Sequence, residues 1–200
     1  MKKMYVLIFM LVFVFSGCAE NKPENNTKTA IDHEIIWRVD LDHDGNEDIM
    51  KVEILNDSST GEGAKVSVFS ADDLIYSATA DLPHTGWNGF YLYEDENGAY
   101  LLHWRPTMYQ GYASYTYAVF SFNAKGEQVF LDSGSLEFDS REMRAQYEGV
   151  EEFVKYIQTV NGYLNSSLLI VDTDNGTLLY GTQESRVVNP YIPKWLFNIF

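Results

Sequence analysis

The sequence predicts an α+β fold, mostly an antiparallel β meander of hairpins with one principal amphipathic helix in the C-terminal half. Short runs of alternating apolar and polar residues follow one another from residue 34 to about 137, as in half-buried strands. Turn-forming sequences such as Asn97-Gly98 separate these runs. Beyond residue 140 apolar residues instead recur at spacings of three and four, which is the period of a helix.

The predicted strands are rich in Tyr, Val, Phe and Thr, which favour extended backbone. Polar or glycine-containing turns lie between most of them, as hairpins require. The runs that we predict as strands are residues 35–39, 49–55, 65–69, 74–79, 89–93, 100–104, 112–122, 128–131, 168–171 and 177–180.

The helix prediction depends on an apolar stripe that follows a capping signal. Asp139 is an N-cap candidate with Glu142 three residues on, which forms a capping box. Gly149 can bend or interrupt the helix. The residues of the stripe are Met143, Tyr147, Val150, Val154, Ile157, Val160 and Leu164.

The N-terminus predicts export. A basic start is followed by an apolar run over residues 5–15, which is too short to span a bilayer, and then by Ser16-Gly17-Cys18. This pattern resembles a bacterial lipobox, although Phe15 stands where that motif usually has Leu. The resemblance implies cleavage before Cys18 and attachment of a diacyl (palmitate-type) lipid to it, which anchors a protein stably to a membrane. Ordinary secretion with cleavage nearby is the alternative.

We therefore expect three parts: a lipoprotein signal peptide over residues 1–17, a lipid-anchored disordered tether over 18–33, and a single extracellular α+β domain over 34–200. The tether is polar and has no apolar periodicity. The expected location is the outer face of the bacterial cell membrane.

Composition narrows the function further. The formal charge is −15, and removal of Lys2 and Lys3 with the leader makes it −17. A chain this acidic lacks the basic patch that binds nucleic acid, so we expect no nucleic-acid partner. Cys18 is the only cysteine, which excludes an intramolecular disulfide and zinc sites built on cysteine pairs.

The most informative segment is the acidic loop, defined here as residues 40–48, which lies between two predicted strands. Carboxylates at alternate positions and a glycine where the chain must turn suit the oxygen cage of Ca²⁺. The alternative is an ion-free polar turn with solvated acids. The expected ligands are Asp40, Asp42, Asp44, Asn46 through its carbonyl oxygen, and Asp48 directly or through water.

The acidic loop departs from an EF-hand, because Lys51 occupies the position of the bidentate Glu and strands flank the loop. It resembles instead the Asp-x-Asp-x-Asp-Gly-x-x-Asp hairpin loops of FG-GAP and VCBS-type extracellular proteins. That resemblance implies the same five ligands and leaves Glu47 facing solvent. His43 is expected to be a solvent-facing spacer between the aspartates.

The chain also resembles uncharacterised lipoproteins of Gram-positive bacteria of the Clostridia or Firmicutes type. The shared features are the lipobox, the tether, the segment from Trp37 to Gly45 and the late segment from Ser166 to Thr173. The resemblance carries no known activity.

No catalytic motif is present in the sequence, which favours a non-enzymatic surface domain stabilised by structural Ca²⁺, with an unknown ligand. A carbohydrate- or cell-wall-binding module is the first alternative, since segment 104–117 is rich in aromatic residues that can stack on sugar rings or a partner protein. Ordinary core packing of those residues is favoured over a binding role. A hydrolase with separated carboxylates is the second alternative. The candidate ligand surface is Trp104, Tyr109, Tyr112 and Tyr115.

Overall fold

The computed structural model describes residues 30–57, 61–81, 89–139, 149–174 and 177–181. The predicted signal peptide, Cys18 and all but the end of the tether lie outside these residues. The same holds for Ser140 to Tyr147, so the predicted capping box and the start of the apolar stripe are not tested.

The described residues form two antiparallel sheets and one helix, which confirms the predicted fold class. A strand is present at each of the ten predicted positions. The helix α1 spans Val150–Asn165, and the strands are β1 Ala30–Val39, β2 Asp48–Asp57, β3 Gly61–Ser70, β4 Asp73–Asp81, β5 Gly89–Asp95, β6 Gly98–Tyr109, β7 Tyr112–Phe122, β8 Gln128–Asp139, β9 Ser167–Asp174 and β10 Thr177–Tyr180.

The first sheet is a meander in the order β1-β2-β3-β4. Its strands alternate between a buried and a more exposed face, as the period of two requires. On β2, for example, Met50, Val52 and Ile54 are buried, whereas Lys51 and Glu53 are half-buried and pair with charges on neighbouring strands.

The second sheet has the order β10-β9-β5-β6-β7-β8. Strands β5 to β8 are consecutive antiparallel neighbours, but β9 comes after the helix and pairs with β5. After β8, at one edge of the sheet, the chain therefore crosses to the other side of β5, where β9 and then β10 are added.

The six-stranded sheet is apolar on both faces, which produces three layers. One face packs against the four-stranded sheet through residues such as Phe90, Leu101 and Phe120. The other face packs against α1, which buries Phe153, Ile157, Val160 and Leu164. Because β6 lies in the middle layer, alternate residues of it serve different cores: Leu101 faces the first sheet and Leu102 faces the helix.

The helix begins immediately after Gly149, whose φ of 73° is left-handed and favours glycine. Glu151 and Glu152 lie in its first turn, where negative charge suits the helix dipole. The predicted stripe is confirmed at Ile157, Val160 and Leu164, and Phe153 is a buried contact that the predicted spacing omitted. Among the described residues no helix combines the length and the apolar character needed to cross a membrane.

Candidate metal site in the first hairpin loop

The acidic loop joins β1 to β2 as a hairpin connection, as the sequence predicts. Val39 pairs with Asp48, so the loop closes directly on the last rung of the ladder. His43 and Gly45 have φ values of 58° and 89°, and this left-handed backbone turns the chain back on itself. The turn brings alternate aspartates toward one another.

Three carboxylates converge in the loop and can hold a metal ion. Asp40, Asp42 and Asp48 each place one oxygen so that the three lie within 4.8 Å of one another. Asp40 and Asp42 are half-buried and Asp48 is buried. The arrangement therefore combines one carboxylate that is shielded from solvent with two that are partly accessible to it.

Asp48 is the fixed member of this triad, with a relative exposure of 3%. Its Oδ2 accepts hydrogen bonds from the backbone N–H groups of Leu41 at 2.8 Å and Asp42 at 3.2 Å. Burial raises the pKa of Asp48, while these hydrogen bonds oppose the rise and favour the charged form. Because a bound cation would also favour the charged form, burial of this carboxylate is compatible with an ion site.

Backbone donors also orient the other two carboxylates. Asp40 accepts from the N–H groups of Asp44 at 3.2 Å and Gly45 at 3.0 Å, through different oxygens. Asp42 Oδ1 accepts from the N–H of Asp44 at 3.2 Å. A carboxylate has about four lone-pair positions, so these bonds leave capacity for a metal.

Ser70 is a contact that the sequence did not reveal. Its hydroxyl donates to Asp42 Oδ2 at 3.1 Å from the end of β3, 28 residues further along the chain. The register of β2 with β3 pairs Ile49 with Phe69, which places the end of β3 beside the loop. A sequence analysis that had predicted this register would have placed Ser70 next to the acidic loop.

Asp44 and Asn46, both predicted ligands, form a separate interaction. Asp44 Oδ1 accepts from the backbone N–H of Asn46 at 2.7 Å, and the Asn46 side-chain amide donates to both Asp44 oxygens at 3.0 Å. The backbone N–H of Asn46 and then its side chain lower the pKa of Asp44. Of the five predicted ligands, the structure thus brings three carboxylates together and pairs the other two residues with each other.

The loop is attached to the second sheet as well as the first. Leu41 is fully buried in the core between the sheets, and its carbonyl accepts from the N–H of Phe122 at 3.0 Å. His43 was expected to face solvent as a spacer; although the residue is exposed, its Nε2 lies 2.9 Å from the carbonyl oxygen of Ala99. Its ring also meets the ring of Tyr100 edge-on at 5.2 Å.

The candidate ligand surface of segment 104–117 is divided between two environments. Trp104 and Tyr115 are buried against each other under α1, with ring centroids 5.7 Å apart. Tyr109 and Tyr112 are 59% and 50% exposed on either side of the β6–β7 turn. The four residues therefore do not form one aromatic platform, and Tyr109 and Tyr112 are the two that a ligand can reach.

Comparisons with known proteins assign the chain to no family: no family model, curated protein or solved structure matches it.

Proposed function

We propose that this chain is a non-enzymatic domain of an exported lipoprotein, stabilised by a structural Ca²⁺ in the acidic loop. The observation that carries the proposal is the convergence of Asp40, Asp42 and Asp48 on a loop attached to both sheets. An ion bound there would hold the loop in the conformation that contacts both sheets, and would therefore stabilise the packing of one sheet on the other.

The donor set favours calcium among the common ions. Carboxylate oxygens without sulfur or imidazole ligands suit a hard cation. Ca²⁺ binds oxygens at 2.3–2.6 Å, so two oxygens on one ion can be up to about 5 Å apart, and the 4.8 Å limit on the oxygen separations in the triad is compatible with that span. Asp44 and Asn46 stay the proposed further ligands, which join the ion when their mutual hydrogen bonds open.

Electrostatics gives the ion a stabilising role. Three carboxylates within 4.8 Å repel one another by on the order of 1 kcal/mol or more per pair, allowing for solvent screening at the half-buried Asp40 and Asp42. A divalent cation removes this repulsion and binds only the folded arrangement. Mass action then stabilises the fold by about 2.7 kcal/mol at a calcium concentration a hundredfold above Kd.

The test is thermal unfolding of the purified protein with millimolar Ca²⁺, with Mg²⁺ and with a chelator. We expect Ca²⁺ to raise Tm, and Asp42→Asn to abolish the rise. Glu47→Gln is the matched control, because Glu47 is exposed in the same loop and lies outside the triad. Identical melting curves with Ca²⁺ and with chelator would refute the metal site.

The export part of the proposal depends on the sequence around Cys18 and is tested separately. Cells fed a radiolabelled palmitate should label the wild-type protein, and Cys18→Ala should abolish both the label and membrane retention. Cytosolic, unlabelled wild-type protein would refute lipidation and leave the calcium test unaffected.

A further inference from the structure

The side of the six-stranded sheet that faces away from α1 is only partly covered by the first sheet. Along β7, Ala118, Phe120 and Phe122 pack in the core between the sheets. Thr116 and Ser114 are only half-buried on the same side, and Tyr112 is exposed. We call the part of β6, β7 and β8 on this side that no other described element covers, residues 105–109, 112–116 and 135–139, the open face.

The strand register arranges the open face in three cross-strand rows. Arg105 lies opposite Thr116, which lies opposite Ser135. The next row consists of Thr107, Ser114 and Glu137. With strands about 4.8 Å apart and same-face residues about 7 Å apart along a strand, the rows span roughly 10 Å by 14 Å.

The last row presents two aromatic rings at the tip of the hairpin. Tyr109 and Tyr112 are directly paired across the Gln110-Gly111 turn, and at 59% and 50% exposure they are among the most exposed large side chains described. The Tyr112 hydroxyl donates to Glu137 Oε2 at 2.7 Å, and the Tyr109 hydroxyl accepts from the Gln110 side chain at 3.1 Å. Tyrosine provides a large, rigid contact surface at a small cost in conformational entropy.

The two rows of polar residues provide both hydrogen-bond donors and hydrogen-bond acceptors. Thr107 and Thr116 donate their hydroxyl hydrogens to the backbone carbonyls of Ser114 and Arg105, at 2.9 and 3.3 Å. Each hydroxyl oxygen of these half-buried threonines keeps lone pairs that can accept a hydrogen bond, whereas the exposed guanidinium of Arg105 provides donors. Groups of this kind suit a ligand that carries many hydroxyls.

The charge of the open face discriminates between occupants. Its charged side chains are Arg105, Glu137 and Asp139, so the face carries a formal charge of only −1 on a chain of formal charge −15. A basic peptide would find stronger attraction at the acidic loop, and an acidic polymer is repelled by the protein as a whole. An uncharged ligand is neither drawn to the acidic loop nor repelled by the net negative charge of the protein.

We propose that the open face binds an uncharged oligosaccharide, with sugar rings stacked on Tyr109 and Tyr112 and sugar hydroxyls bonded to Arg105 and the Ser/Thr rows. The face is longer than one sugar ring, so a chain of sugars is the expected ligand. This proposal goes beyond the calcium site and does not depend on it.

The test is calorimetric titration of the purified full-length protein with cellohexaose and with chitohexaose, and a screen of an array of uncharged glycans. We expect binding to at least one of them, and we expect Tyr109→Ala with Tyr112→Ala to weaken it about tenfold or more. Tyr112→Phe keeps the ring and should retain most of the affinity. Leu74→Ala is the matched control, because Leu74 is 55% exposed on the other sheet and should leave binding unchanged.

Melting temperatures of the variants distinguish lost contacts from lost folding. If the double variant does not fold, Tyr109→Ala alone provides the test, since that side chain is the more exposed. The proposal is overturned if no uncharged glycan binds, if a basic peptide or a polyuronate binds at these residues instead, or if the tyrosine variants bind as well as Leu74→Ala.

Discussion

The Nε2 atom of His43 lies 2.9 Å from the carbonyl oxygen of Ala99, so the acidic loop of the first sheet is hydrogen-bonded to a strand of the second. Ala99 is the second residue of β6, directly after the β5–β6 turn. The contact therefore couples the candidate metal site to a hairpin in the other sheet. Any change at that turn is expected to affect the loop.

Gly98→Ala should destabilise the protein through this contact. A Cβ at position 98 would lie 2.6 Å from His43 Nε2, and the φ of 145° is itself unfavourable for alanine. We expect a loss of about 1–3 kcal/mol in the free energy of unfolding, measured by urea denaturation.

Gly162→Ala is the control for that substitution. A Cβ there meets nothing within 4 Å, and Gly162 lies within α1. Alanine should therefore stabilise the helix by about 0.5–1 kcal/mol. Equal stability of the Gly98 and Gly162 variants would contradict the contact between His43 and the turn.

Asp48→Asn should have opposite effects with and without calcium. The amide oxygen can still accept the N–H groups of Leu41 and Asp42, while the buried negative charge and its repulsion with Asp42 are removed. We expect Tm in chelator to equal or exceed that of the wild type, and the rise caused by Ca²⁺ to disappear. A large Tm loss in chelator, with the calcium response retained, would show that Asp48 is structural only.

Stability should fall between about pH 10 and pH 12. Burial raises the pKa of Tyr76 to about 12, and burial together with the hydrogen bond to Asp132 raises the pKa of Tyr117 to about 12. An unfolded tyrosine ionises near 10, so the folded state holds its protons longer. The resulting stabilisation is complete below pH 10 and is lost as the pH rises toward 12.

For Tyr76 the loss is on the order of 2–3 kcal/mol, because the pKa rises by about two units, each unit corresponds to about 1.4 kcal/mol, and solvent at the partly exposed ring reduces the effect. Urea unfolding at several pH values, with phenolate absorbance recorded in parallel, checks this. In Tyr76→Phe the free energy of unfolding should decrease less steeply between pH 10 and pH 12. An unchanged slope in that variant would show that ionisation of Tyr76 does not contribute to the decrease.

Local pattern predicted the strands and the hairpin loop because both depend on neighbouring residues. Alternation located β2, and the position of Gly45 predicted the sharp turn of the loop. Strand β8 was predicted to end at residue 131 but continues to Asp139. The prediction ended too early because the Ser133-Gly134-Ser135 segment has the composition of a turn. Gly134 is needed there, since a Cβ would lie 2.7 Å from the Tyr117 ring.

Contacts between distant segments were beyond the reach of local pattern. Alternation predicts that Trp104 and Tyr109 lie on opposite faces of β6, but not which face the helix covers. The Ser70 contact with Asp42 and the contact of His43 with Ala99 likewise depend on strand order and sheet packing. The candidate site was therefore located by sequence, whereas its supporting contacts required the structure.

The insertion of β9 beside β5 has a consequence for the order in which the protein can fold. Tyr91 and Asp172, which are hydrogen-bonded across this junction, are 81 residues apart, whereas the first sheet joins only consecutive strands. Local pairings close fast and distant ones slowly. The N-terminal meander can thus form before β9 is in place, and until β9 pairs with it the free edge of β5 is a template on which strands of other chains can pair.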